Sequence, residues 1–284
     1  MEKIRVTVWS EGLDAGLEPR AIALYPEDIN HYIAGFLGEE ADLEIRECCL
    51  SMPENGLSKE IIDHTDVLVW WSHLYDEQVS EEAAARVTQA VLQGMGLLLL
   101  HASMGSKPAK RLLGESSDVG KYREVGEMER MWVVNRSHQI VEGMEKEYVE
   151  IPVSEMYGEP YGMPTPDEII FISWYEGGDV LRSGVSWHKG AGKIFFLAPG
   201  HEEFPVYYNK EIQKIIRNAV HWLKPVKGPE ITLRGEVRAL EDIKNLAKNK
   251  GTRILQIWKK GMFLNEVLKK IGSDCIKMQF LPVS

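Results

Sequence analysis

Gly94-Met95-Gly96-Leu97-Leu98-Leu99-Leu100-His101-Ala102-Ser103-Met104-Gly105 is the stretch whose reading decides the fold. Four consecutive leucines between glycines leave no side for water, which is how a strand buried on both faces of a parallel sheet reads. The run stops at His101. In open α/β sheets ligands lie beyond the carboxyl ends of the strands, so this histidine either serves a site there or caps its strand through a hydrogen bond.

The same pattern recurs upstream. Ile4 to Trp9 is a β-branched strand that delivers Ser10 and Glu11, Leu43 to Arg46 is a more alternating one, and Asp66 to Trp71 ends at Ser72-His73. Tyr25-Pro26-Glu27-Asp28 opens a helix running to Leu37, Ser58 caps a short helix with Ile61 and Ile62, and Ser80 caps a longer one. In the longer helix Ala84, Val87, Ala90 and Val91 make one apolar face. Three βα units in succession predict an α/β fold with a doubly wound, mostly parallel sheet.

Downstream the reading is less regular. Strands are expected at Met131 to Val134, Tyr148 to Ile151, Glu168 to Ile172 and Val180 to Ser186, with an antiparallel excursion and a hairpin at Gly177-Gly178. Lys193 to Ala198 is a final buried strand leading into Pro199-Gly200-His201-Glu202-Glu203, and a helix from Glu211 to Leu223 closes the body.

Composition bounds the function. The chain has 284 residues, 44% of them apolar, enough for one large core or two modest ones. A net charge of −10 argues against a nucleic-acid partner, and no run is long and apolar enough to predict a membrane span. Three cysteines (Cys48, Cys49, Cys275) and an amino terminus that runs straight into a strand make the cytoplasm the expected compartment. From Pro225 onward twelve Lys and Arg face six Asp and Glu. That shift, at a Pro- and Gly-containing stretch, predicts a body over 1–224 and a small basic α/β appendage over 225–284 that docks on the body or on a second subunit.

Glu11, His73, His101 and His201 all fall at expected carboxyl ends of strands. If those strands are parallel, the four groups share one crevice, where titratable residues cluster for catalysis. His31, His64, His138, His188 and His221 read as ordinary surface or packing residues. Around the four lie Glu202, which beside His201 makes an imidazole–carboxylate pair fit for acid–base work, and two further polar clusters. Arg123-Glu124 belongs to a charge run that would ordinarily be a solvated face. Glu155-Met156-Tyr157 brings a carboxylate and a phenol that, with Trp174, could form a sugar-binding wall, or could simply pack in the core.

The stretches VWSE, DVLVWWSH, GMGLLLLHASMGSK, EMYGE, FISW, GGDVLRSG, GKIFFLAPGHE and NAVHW resemble those of the ThuA family of trehalose-utilisation proteins, over residues 3 to 240. The resemblance implies a flavodoxin-like sheet of the class I glutamine amidotransferase type and a role in carbohydrate metabolism. It also raises the Arg123-Glu124 pair, which the family shares. Three family histidines are replaced here, by Asp14, Asp76 and Met104. Histidines gathered at neighbouring strand ends suit zinc or another divalent metal, so the remaining candidate ligands are Asp14, His73, Asp76 and His101.

Amidotransferase chemistry needs a thiolate on the turn after the central strand. That turn here carries His101, Ala102 and Ser103, which excludes it. The expected function is proton transfer on a disaccharide or keto-sugar by His101 or His201, with Glu11 and His73 orienting substrate or metal. The alternative is a non-catalytic sugar-binding or regulatory protein. The partner is then a small-molecule sugar, with a homo-oligomer possible.

Overall fold

The computed structural model describes residues 3–13, 19–114 and 120–226. Nine strands form one sheet: β1 Ile4–Ser10, β2 Leu43–Cys49, β3 Val67–Ser72, β4 Gly96–His101, β5 Lys121–Val133, β6 Tyr148–Gly158, β7 Glu168–Tyr175, β8 Val180–Lys189 and β9 Gly192–Leu197. The described helices are α1 Pro19–Leu24, α2 Ile29–Leu37, α3 Lys59–Asp63, α4 Glu81–Leu92, α5 Lys107–Leu113 and α6 Lys210–Leu223. The leucine run is β4, buried along its whole length.

The strand order is β2-β1-β3-β4-β9-β8-β7-β5-β6. From β2 to β9 the pairings are parallel, and from β9 to β6 they are antiparallel. The expected mostly parallel sheet therefore describes one half, and the other half corrects it to a mixed sheet. Loop length explains the change. Only Gly190 and Ala191 separate β8 from β9, and four residues separate β7 from β8, too few for the crossover that a parallel pair requires.

Two cores flank the parallel half, and the strands alternate between them. Val67, Val69, Trp71, Leu98, Leu100, Phe195 and Leu197 face one core with Ile29 and Ile33 of α2 and Ile212, Ile215 and Ala219 of α6. Leu68, Trp70, Leu97, Leu99, Ile194 and Phe196 face the other with Ile62 of α3, Ala84 and Val87 of α4 and Ala109 of α5. Each fully buried leucine contributes roughly 1.5–3 kcal/mol of transfer free energy. The expected caps hold: Ser58 Oγ accepts from the Ile61 amide and Ser80 Oγ from the Ala83 amide.

All nine expected strands are present, but β5 begins ten residues before Met131 and β6 continues to Gly158. The charged sequence of β5 hides its period, and register shifts between Arg123 and Glu129 break the alternation further. Asp14 and, from residue 227 on, the appendage expected over 225–284 lie outside the described residues.

Candidate functional site

Parallel strands with one polarity bring their carboxyl ends to one edge, and there His73 follows β3, His101 ends β4 and His201 follows β9. His101 ends its strand at φ 58 and ψ −128, a backbone conformation disfavoured for a side chain with a Cβ. Its ring lies parallel to that of Trp71 with centroids 6.0 Å apart, and Trp71 Nε1 donates to the Gly200 carbonyl at 3.0 Å. Gly200 has to be glycine: a Cβ there would stand 2.2 Å from the Tyr207 hydroxyl. The three imidazoles form a triangle with centroid separations of 4.9, 5.1 and 5.4 Å.

Glu202 lies among them. His73 Nδ1 is 2.8 Å from Glu202 Oε1, while Glu202 Oε2 is 3.7 Å from His201 Nδ1 and 3.9 Å from His101 Nε2. The antiparallel half supplies the facing wall through β6. Glu155 Oε2 is 3.6 Å from His101 Nε2, and the Tyr157 hydroxyl is 3.3 Å from the same nitrogen. His73, Leu74, Ala102, Tyr122, Glu124, Glu155, Tyr157, His201, Glu202 and Glu203 line a cavity of about 420 Å³ over this cluster.

Burial and charge separate the protonation states. Burial opposes charge on His73, but the hydrogen bond and charge of Glu202, aided by Glu155 and Glu11, raise its pKa to about 9. Burial would raise Glu202, but the His73 hydrogen bond and the neighbouring imidazoles bring it down to about 2. Burial lowers His201 to about 4, and burial with the charges of His73 and His201 holds His101 well below its ordinary value. Burial pushes Glu155 up to about 8 against the Tyr157 hydrogen bond.

The remaining sequence candidates are placed differently. Glu11 does not line this cavity. Its carboxylate accepts the Leu74 and Tyr75 amides at 2.6 and 2.9 Å, bracing the loop that carries His73. Glu124 does line it, but Arg123 does not, because alternate residues of a strand face opposite ways. Arg123 Nε instead pairs with Glu127 Oε1 at 2.7 Å and Nη2 with Asp179 Oδ2 at 2.9 Å. Trp174 is also absent from the lining: it is half-buried on β7 and pairs with Arg130 and Val180. Tyr122 is the aromatic side chain that the sequence reading missed. Its i, i+2 relation to Glu124 would have marked it had β5 been recognised. Ser103, buried, donates to the carbonyls of Trp70 and Leu100, which takes its hydroxyl away from nucleophilic work.

The candidate metal ligands are regrouped as well. His73, His101 and Glu202 each offer a ligand atom within 4.8 Å of the others, and so do His73, Glu124 and His201. Asp76 joins neither set. It is half-buried with Oδ1 shielded from solvent, and that desolvation raises its pKa to about 7. Met104 is fully buried in the core among apolar neighbours. Glu155 Oε2 and Glu202 Oε2 are buried without a hydrogen-bond partner, a deficit that a cation would fill, and two imidazoles with a carboxylate suit a transition metal. Among the described residues the set therefore fits a divalent ion through Glu202 rather than through Asp76.

Beneath the wall, Glu129 of β5 is fully buried and accepts from Ser154 Oγ at 2.8 Å and from Ser173 Oγ at 2.5 Å. Ser173 and Ser183 hydroxyls are 2.6 Å apart. Ser154 immediately precedes Glu155, so this network fixes the strand segment that presents Glu155. Burial raises the Glu129 pKa to about 7 against these hydrogen bonds.

An α/β sheet with a crevice of histidines and carboxylates at its strand ends defines the class of protein. Residues 5–223 match the ThuA family, described as trehalose utilisation, and the chain belongs to that family. The fold is similar to that of a ThuA-like protein from Parabacteroides merdae, with a TM-score of 0.58 and 13% identity over 80% of this chain and 93% of the other. It is also similar to a ThuA-like protein from Bacteroides uniformis, with a TM-score of 0.56 and 13% identity over 78% of this chain and 91% of the other. A cytoplasmic protein from Salmonella typhimurium aligns with a TM-score of 0.51 and 12% identity over 78% of this chain and 100% of its own. Among curated proteins none matches the sequence. No helix among the described residues is long and apolar enough to cross a membrane.

Proposed function

We propose that the crevice binds a carbohydrate, a disaccharide or its keto derivative, and moves a proton on it. The observation that carries this reading is the cluster beneath one cavity: His73, His201, Glu155, Tyr157 and Glu202 line it, and the buried His101 has its Nε2 3.6 Å from the Glu155 carboxylate and 3.3 Å from the Tyr157 hydroxyl. The trehalose-utilisation description of the family supports a sugar as the ligand. The wall of Glu155, Tyr157 and Glu124 supports it too, since carboxylates accept and a phenol exchanges hydrogen bonds with hydroxyl groups.

In this mechanism one neutral imidazole, His101 or His201, takes a proton from a ring hydroxyl or from the carbon beside a keto group and returns that same proton to the sugar. Glu155 and Tyr157 hold the sugar against His101. Glu202 fixes the orientation of His73, while Glu11 fixes the loop bearing it. A divalent ion such as Zn²⁺ would be held by His73, His101 and Glu202 and would polarise a sugar oxygen, which would leave His201 as the base. The order β2-β1-β3-β4-β9 of the parallel half, with helices on both faces, supports reading the frame as flavodoxin-like and doubly wound. The cytoplasm is the compartment this reading assigns.

The test is a thermal-shift screen against trehalose, related disaccharides and keto-sugars, with and without Zn²⁺ or Mn²⁺, followed by turnover of whichever sugar stabilises the protein. His101→Ala is expected to retain that shift and to lose turnover by about 10²–10⁴-fold. Equal turnover in the variant would remove His101 from the mechanism. A shift without turnover in the native protein would make it a sugar-binding protein instead.

A further inference from the structure

The mouth of the crevice differs chemically from its floor. The floor is polar and buried, yet two large apolar side chains stand exposed at the opening, Leu74 at 50% and Tyr122 at 61%, and both line the same cavity. They come from opposite halves of the sheet. Leu74 follows His73 in the loop after β3, held by the Leu74 amide on Glu11, and Tyr122 lies on β5 in register with Tyr157 of β6. Glu124, two residues further along β5, turns its carboxylate into the cavity beside Tyr122. This part of β5 is bonded to β6, and its pairing with β7 begins at Glu129, so residues 121–125 form an arm along the crevice.

We infer that this mouth is an outer subsite for a second sugar ring, with Tyr122 as its specificity-determining residue. The inference rests on the carbohydrate reading of the floor. A pyranose has an apolar face of C–H groups that stacks on an aromatic ring, and an equatorial edge whose neighbouring hydroxyls donate to one carboxylate. Tyr122 supplies the ring and Glu124 the carboxylate. Leu74 covers the far side, so that binding removes from water the apolar surface that the free protein leaves exposed. One ring then occupies the floor lined by His73, His201, Glu155 and Tyr157 and the next lies at the mouth, which makes the ligand a disaccharide.

The experiment is calorimetric titration of native protein, Tyr122→Ala, Tyr122→Phe and Leu74→Ala with glucose, trehalose, maltose, cellobiose and lactose. Native protein is expected to bind at least one disaccharide about tenfold more tightly than glucose. Tyr122→Ala should remove about tenfold of that affinity while leaving glucose binding unchanged, and Tyr122→Phe should restore it. Leu74→Ala should weaken the same disaccharide by a smaller factor. Tyr122 is exposed, so the variants should melt with the native protein. An equal loss for glucose and disaccharide would put Tyr122 at the inner ring and overturn the inference, as would unchanged disaccharide affinity in Tyr122→Ala or a native protein indifferent to the second ring. Native protein that binds none of these sugars would overturn the carbohydrate reading itself, and the outer subsite with it.

Discussion

The two halves of the sheet are built on opposite principles. In the parallel half, strands β1, β3, β4 and β9 bury most of their side chains in apolar surroundings, and the titratable groups of the crevice stand where the strands end, at Glu11, His73, His101 and His201. In the antiparallel half, polar groups sit within the strands: Glu129, Ser154, Glu155, Ser173 and Ser183 are all buried there. One half is a frame that positions the crevice's histidines by strand polarity. The other is a wall that positions them by hydrogen bonds. Combining them brings a carboxylate and a phenol against a histidine that belongs to a different layer of sequence.

The contrast can be broken first in the core. Phe196→Ala in β9 empties a fully buried site and should lower stability by about 3–5 kcal/mol in a urea titration. A loss under about 1 kcal/mol would mean that the parallel half is not the rigid partner.

The wall is tested through Glu129. Its pKa is about 7 in the folded chain, against an ordinary value of 4.5, so between those values the native state binds more protons than the unfolded one. The sign follows: its stabilising contribution is complete below about 4.5 and falls away as pH rises through about 7. Glu129→Gln should abolish that part of the decline, on the order of 3 kcal/mol between pH 4 and 8, read as the difference between the two stability profiles. Parallel profiles would show that the carboxyl is not held protonated.

At the seam the expected effect is a coupling. His73→Ala strands the buried Glu202 carboxylate, so adding Glu202→Gln to it should recover stability, with an interaction energy of about 1–3 kcal/mol across the double-mutant cycle. Additive losses would show that the pair does not act as a unit.

The smallest effect belongs to Arg123. It is partly exposed and lies on the face of β5 away from the cavity, so Arg123→Ala should leave the melting temperature close to native and sugar affinity within about twofold. A large loss of affinity would return Arg123 to the site, where the family resemblance had put it.

The difference between the halves also decides what could be read from the chain. β4 and β3 announced themselves because a strand buried on both faces is continuously apolar, and a histidine at its end stands out against that background. The convergence of His73, His101 and His201 followed from strand polarity alone. The first ten residues of β5 were invisible because Lys121 to Arg130 reads as a charge run, and the register shifts there destroy the alternation that would reveal a strand. The exclusion of Arg123 and the inclusion of Tyr122 could not be seen without that strand. Trp174 misled for a related reason: an aromatic near a polar cluster in sequence says nothing about which face of the strand it occupies. Asp76 misled because it stands where a family histidine stands, whereas the carboxylate among the imidazoles is Glu202, more than a hundred residues away.

The backbone at His101 carries a consequence for the history of such a chain. At φ 58 and ψ −128 a glycine would rest more comfortably than any residue with a side chain. His101→Gly should therefore unfold at a higher temperature than His101→Ala, although both lack the imidazole. Backbone strain at this position thus favours glycine, against the packing of the buried ring on Trp71 and Tyr157 and whatever the imidazole does. A chain that had lost its use for the crevice would be free to slide down that gradient, and this one stands at the top of it.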